Sequence, residues 1–216
     1  MQKITRKMKT LFFPIFVLLL LQGFLPGVTG QANSQQAMLS YAAEALPGVL
    51  AQIPMDLEKN YGFFSRDEFI EARLGLPYQE FSLESEGPTG IWRIPVTVNG
   101  ENRALMTLMK QDGKWAFMGF GAAVLAKELG RKEKAFPGGS LVSGRIVRDF
   151  GRQCDYVQLN PKGILGPDSV LTPLTSAYRH MPGIAALPPG GTTLDEVKRL
   201  RSSLLKAQRP NQEVKQ

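Results

Sequence analysis

Two dipeptides, Asn99-Gly100 and Asp112-Gly113, constrain this chain more than anything else in it. Each is the residue pair that a tight hairpin requires at positions of positive φ, and each sits between runs of apolar residues. Together they divide residues 91–120, IWRIPVTVNGENRALMTLMKQDGKWAFMGF, into three consecutive strands. A two-residue loop at Asn99-Gly100 would place Trp92, Ile94 and Val96 on one face with Thr107, Leu105 and Arg103. A three-residue loop over 98–100, with Gly100 as the left-handed residue of a bulge, pairs even positions with even. One face then reads Trp92, Ile94, Val96, Ala104, Met106 and Leu108. The other reads Arg93, Thr97, Arg103 and Thr107, with Leu105 as its apolar exception. A one-residue slip flips every side chain, so the cleaner segregation selects the bulged loop. Pro95 cannot donate to a ladder, which predicts a first strand that is bulged or locally at an edge. In the third strand Trp115 and Phe117 alternate with Met118 and Phe120. Apolar residues on both faces predict cover on both sides, or one face lining a ligand cavity.

The N-terminus carries a targeting pattern. Lys3, Arg6, Lys7 and Lys9 precede an uncharged run over 10–30, and Val28-Thr29-Gly30 supplies small residues where a signal peptidase would cut. Its apolar centre, 11–25, reaches only about 22 Å as a helix, short of the roughly 30 Å hydrocarbon core, and Pro14 interrupts it. The expectation is a cleavable signal over 1–30 and a periplasmic or secreted protein. Residues 31–216 keep 22 basic and 19 acidic side chains, a net charge of +3. Most of the basicity thus belongs to targeting, and a nucleic-acid partner loses its main support. The single cysteine, Cys154, cannot form an internal disulfide, so stability must come from packing.

Along the rest of the chain, Ser34 caps a first helix over 35–46 that Pro47 ends. A short second helix is predicted over 55–60. Ser65 and Glu68 form a capping box for a third helix running to Leu74, with Phe64 and Phe69 at the spacing of a hydrophobic staple. A strand follows over 78–83, then the meander, then a helix over 122–129 closed by Gly130 and a solvated charged segment over 131–134. Pro137-Gly138-Gly139 marks an internal linker and a possible sub-boundary. Further strands are predicted over 141–148, 155–159 and 169–171, and a short helix over 174–180. Residues 183–191 form a Pro/Gly-rich linker. Beyond it Thr193 and Glu196 make a second capping box for an amphipathic helix to about residue 208. The organisation is one α+β domain over 31–186, and a linker and helical tail over 187–216. The class is a mainly antiparallel curved sheet packed on N-terminal helices, with an element order similar to cystatin-like or NTF2-like folds, a likeness that carries no function.

Cys154 with His180 as base and Asp155 or Asp149 as orienting group has the residue types of a thiol nucleophile but no local signature, and a buried, inert cysteine is the expectation. One histidine and one cysteine cannot supply the ligands zinc requires. Glu80, Glu84 and Glu86 lack the pattern of a calcium loop and read as a solvated strand end. Arg145, Arg148, Asp149 and Arg152 could hold an anion, but read first as charges guarding a sheet edge. No catalytic set, cofactor or metal is predicted. The expected function is that of an exported, non-enzymatic envelope protein that binds a protein partner or supports an assembly. Leu194, Val197, Leu200 and Leu204 form the apolar stripe of a separable tail helix that would engage the partner. The alternative is an exported ligand-binding protein or hydrolase, its cavity between sheet and helices lined by Trp92, Met106, Trp115 and Phe117.

Overall fold

A computed structural model describes residues 26–136, 141, 143–188 and 191–207, with side chains from Ser34 onward. The expected signal therefore lies outside the described residues, except for 26–30, which are backbone of the first helix. The Pro137-Gly138-Gly139 linker and residues 208–216 also lie outside them. Among the described residues, no helix is long and apolar enough to cross a membrane.

The strands, in chain order, are β1 (Arg73–Leu74), β2 (Tyr78–Ser82), β3 (Pro88–Val98), β4 (Glu101–Gln111), β5 (Lys114–Gly121), β6 (Gly144–Asp149), β7 (Cys154–Leu159), β8 (Val170–Pro173) and β9 (Thr192–Thr193). The helices are α1 (Pro26–Ala51), α2 (Glu68–Glu71), α3 (Ala123–Lys134), α4 (Thr175–His180) and α5 (Leu194–Ala207). The class is α+β with a mostly antiparallel sheet, in the order β5-β4-β3-β2-β6-β7-β8-β9, and β1 adds to β3. One pair is parallel: β6 lies beside β2, Tyr78 opposite Gly144 through Ser82 opposite Arg148. The sheet therefore runs continuously across the 137–139 segment.

The meander forms with the predicted faces but for a different reason. Val98 pairs with Glu101, so Asn99-Gly100 is a two-residue turn with φ of 52° and 74°. The register shift lies further in, between Val96 opposite Ala104 and Thr97 opposite Asn102. Arg103 is thus the extra residue, and the bulge in β4, not the turn, restores even-to-even pairing. Trp92, Ile94, Val96, Ala104, Met106 and Leu108 share one core cluster with Met38, Ala42, Leu46 and Leu50 of α1. Leu105, on the opposite face, is buried with Ala126 and Leu129 of α3. A second bulge corrects the two-faced reading of β5. Thr107 pairs with Gly119 and Leu108 with Phe117, which leaves Met118 over and half-exposed. Phe117 and Phe120 then both lie opposite residues of the α1 face, and Trp115 and Phe120 pack against that cluster. β3 is an interior strand, yet its second neighbour is interrupted between β1 and β2, opposite Pro95, whose carbonyl accepts from the Gly75 amide at 2.7 Å.

Several helix boundaries differ from the sequence reading. Pro47 lies inside α1; the carbonyl it leaves unbonded belongs to the exposed Ala43, where water can serve it. Residues 58–61 form a single 3-10 turn. Ser65 caps nothing: Glu68 accepts from the Phe64 amide at 2.7 Å and pairs with Arg103 at 2.9 Å, and α2 stops at Glu71 so that β1 can join β3. Phe63, not Phe64, meets Phe69 edge-on at 5.0 Å, while Phe64 is exposed with the Arg103 guanidinium 4.3 Å from its ring centre. Gly130 does not end α3. A Cβ there would stand 3.2 Å from Asn102, so glycine is what lets helix and β4 approach, and the charged residues beyond it are helical. Gly144 has a similar role, since a Cβ would fall 2.2 Å from the Tyr78 ring.

The Thr193–Glu196 capping box forms, with Thr193 and Glu196 bonding to each other in both directions. However, Leu194 and Val197 are fully buried, and Leu200 and Leu204 pack against the same cluster, with Phe81, Val147, Tyr156 and Met181. The stripe is covered by the chain's own sheet face, so α5 is a docked helix and not a separable one. Ion pairs reinforce it: Arg201 with Asp149 at 2.8 Å and Glu84 at 3.1 Å, and Lys198 with Glu86.

Candidate binding cleft

Strand β7 is paired along its full length on one edge only. Each of its residues, Cys154 through Leu159, lies opposite a residue of β6. On the other side β8 pairs only Tyr156 with Pro173 and Val157 with Thr172. Hydrogen-bond direction alternates along a strand, and Asp155 shows which residues address β8. Its carbonyl accepts from the Leu174 amide at 3.0 Å and its amide donates to the Ser176 hydroxyl at 2.8 Å. Asn160, of opposite parity, donates to the Ser143 carbonyl at 3.0 Å. Leu159 therefore points its amide towards β8, but the Leu159–Val170 pair that would continue the ladder is not made. Val170 lies opposite Thr193 and Leu171 opposite Thr192, so the far edge of β8 pairs with β9.

Local sequence explains this fork. Residues 160–169, NPKGILGPDS, hold two prolines and two glycines and cannot extend either strand. Gly191, at φ 117°, lets β9 press against β8, where a Cβ would stand 2.7 Å from Val170. The fork opens into a cleft of about 830 Å³. Val157 and Leu159 form one wall, Val170 and Thr172 the other, and Ala135 and Phe136 close the end beyond α3. The titratable lining groups are Lys132, Lys162 and Asp168, none of them in an ion pair among the described residues. Ile164, the most exposed large apolar side chain among the described residues, sits at the mouth. The cleft thus brings together apolar walls, a stretch of β7 that β8 does not pair, and two ammonium groups without ion pairs among the described residues. No nucleophile–base pair converges there.

The residues singled out in the sequence lie elsewhere. Trp92, Met106 and Trp115 belong to the α1 core, Phe117 sits on its margin, and none lines the cleft. Cys154 is fully buried, its thiol 3.5 Å from the Arg152 carbonyl, while His180 is exposed at the end of α4. Burial, helped by Asp149 and Asp155, pushes the Cys154 thiol up to about 11. It is overwhelmingly protonated at neutral pH, and no catalytic pair forms.

The acidic and basic clusters prove to be structural pairs. Glu80 is fully buried and not solvated; Arg93 meets it at 2.8 Å, and Arg148 approaches it at 3.9 Å while holding Asp155 at 2.7 Å. This is a ladder of alternating charge across β3, β2, β6 and β7. Glu84 and Glu86 instead pair with α5, so the three glutamates do not converge. Among the described residues, no group of side chains could hold a metal ion. Nor do Arg145 and Arg148 guard an edge, because β6 is interior. The Arg145 guanidinium lies 4.2 Å from the Phe81 ring centre and donates to Gln158 and the Gly163 carbonyl, and burial lowers its pKa.

Sequence reading missed the cleft because its floor is an absence of pairing. Each strand beside it was legible, but nothing in one strand states where its neighbour departs. No protein-family model matches this chain, and neither the curated proteins nor the solved structures contain a match.

Proposed function

We propose that the chain is an exported, non-enzymatic module of the periplasm or secreted fraction that binds an envelope protein partner through the cleft between β7 and β8. One observation carries this reading: a concavity of about 830 Å³ combines apolar walls with a stretch of β7 that β8 does not pair. Such a surface recognises another chain. With α5 docked, the partner surface moves from Leu194, Val197, Leu200 and Leu204 to this cleft. The likeness of element order to cystatin-like or NTF2-like folds belongs to the same proposal and adds nothing to the choice of partner.

A second reading keeps the export and replaces the partner with a small ligand. It is favoured by the cleft volume, about 830 Å³, which falls in the usual range of ligand pockets. A photo-crosslinking residue at Ile164, compared with one at the exposed His180, separates the two in the envelope fraction of producing cells. A discrete protein adduct from position 164 alone is the expected result. Adducts that never exceed those from position 180, together with a small molecule co-purifying with the protein, would replace the first reading by the second. Export has its own check: mass spectrometry of the native protein should find the N-terminus near Gln31, and recovery of residues 1–30 on the mature protein would remove that part.

A further inference from the structure

We propose that the occupant of the cleft is an extended, acidic peptide segment of the partner, which adds to β7 as a strand at Leu159. This rests on the protein-binding reading above and specifies its mode. Antiparallel pairing ends at Val157 opposite Thr172, and Leu159, the next residue whose amide is directed to that side, lines the cleft without a paired residue of β8. Val170 is the residue of β8 in register with it, but the pair is not made, while the neighbouring Ser169 carbonyl accepts from the Leu194 amide at 2.9 Å on the other edge of β8. An unpaired strand edge is a template for another strand, and proteins that do not use one usually cover or charge it. Here Val157, Leu159, Val170 and Phe136 line the concavity beside that edge, so an added strand would meet apolar surface as well as backbone.

Side-chain chemistry selects the class of peptide. A strand presents alternate side chains to opposite sides, so an incoming segment would place every second residue against the apolar walls. The others would face the rim, where Lys132 and Lys162 stand without ion pairs among the described residues, against the one lining carboxylate of Asp168. The C-terminal end of α3 adds about half a negative charge near Lys132. Two full positive charges still exceed the sum, so the rim favours glutamate or aspartate over lysine in the peptide.

The test uses the full chain and a fluorescent peptide of alternating valine and glutamate, read by polarisation. Two controls accompany it: the same peptide N-methylated along its backbone, and a valine–lysine counterpart. The acidic probe should bind, and both controls should bind at least about tenfold more weakly. Amide exchange at Leu159 should slow when the acidic probe is bound, which a purely electrostatic contact at the rim would not produce. The charge-reversed variant K132E/K162E alters exposed or half-exposed side chains and should fold normally. It should lose affinity for the acidic probe and gain it for the lysine one. Absence of binding by the acidic probe, equal binding of the N-methylated probe, or indifference to charge reversal would each overturn the proposal. Repeating the Ile164 crosslink in the K132E/K162E background separates the two levels. A protein adduct that persists unchanged leaves the interaction module standing and removes the acidic strand, whereas loss of every adduct in the unmodified background removes both.

Discussion

Tyr156 is the residue at which this core is least satisfied. Its ring is fully buried beneath α5, and its hydroxyl has no hydrogen-bond partner among the described residues. Burial first, then Cys154 and Asp149, pushes its pKa well up, so the hydroxyl stays neutral as well as unpaired. Removing an unsatisfied buried hydroxyl costs little, because the desolvation penalty disappears with it. Tyr156→Phe should therefore leave stability unchanged or raise it by up to about 1 kcal/mol in denaturant melts. A loss larger than that would show that the hydroxyl is bonded. Glu196 presents the opposite case. Its carboxylate accepts from the Thr193 amide at 2.9 Å, the Thr192 hydroxyl at 2.8 Å and the Thr193 hydroxyl at 3.0 Å. These bonds, the backbone one foremost, hold it below its ordinary value of 4.5. A carboxyl with a lower pKa in the fold than in the unfolded chain contributes fully above the unfolded value. That contribution is lost as pH falls through the folded one. Glu196→Gln should thus lower the melting temperature at neutral pH, and the deficit should close as the pH is taken well below 4.5. A deficit constant with pH would mean that the charge contributes nothing to the cap.

At the scale of elements, α5 offers the sharpest test. Leu194 and Val197 are buried completely, and each such side chain contributes roughly 1.5–3 kcal/mol relative to exposure. Leu200, Leu204 and the Arg201–Asp149 pair add to that. Deleting residues 188–216 should therefore lower the melting temperature by roughly 10 °C or more, since each kcal/mol is worth about 2–8 °C in domains of this size range. A truncated chain with an unchanged melting temperature would return α5 to the role of a separable arm. The sequence made the stripe and its cap legible, because both are local. What it could not give was the cover, which is assembled from Phe81, Val147, Tyr156 and Met181, remote in the chain. The meander teaches a related lesson. Segregation of apolar residues correctly placed Trp92, Ile94, Val96, Ala104, Met106 and Leu108 on one face. It assigned the compensating residue to the turn, whereas the bulge falls at Arg103, where Glu68 and Glu101 hold the guanidinium. A pattern of faces fixes parity and leaves open where along the ladder the extra residue is absorbed. Met118 makes the same point in β5, where an unforeseen bulge turned an apparent two-faced strand into a one-faced one.

For the whole molecule, the decisive contact is the parallel pairing of β2 with β6. Turn chemistry reveals pairings between neighbours in sequence, and this one joins strands separated by the entire meander, so no local signal announced it. Its consequence is that the two sides of the 137–139 segment share a core. Tyr78 packs with Leu105, Ala126 and Leu129 from before that segment and with Ile146, Val157 and Leu174 from after it. Its hydroxyl donates to Glu133 at 2.5 Å, and its ring occupies the space that Gly144 leaves free. Glu128 of α3 likewise accepts from the Thr175 amide at 2.7 Å and the Thr175 hydroxyl at 2.9 Å. The charged ladder crosses the same seam, with Arg93 and Glu80 on one side and Arg148 and Asp155 on the other. A fragment of residues 31–136 alone would expose Tyr78 and a buried carboxylate, and a fragment of 141–216 would expose Ile146, Val157 and an unpaired edge of β6. Neither should fold. Expressed separately, each should lack dispersed amide resonances and a cooperative thermal transition, and mixing them should restore both at concentrations above their dissociation constant. A cooperative transition in either fragment on its own would mean that the 137–139 segment separates two domains, each able to close its own core.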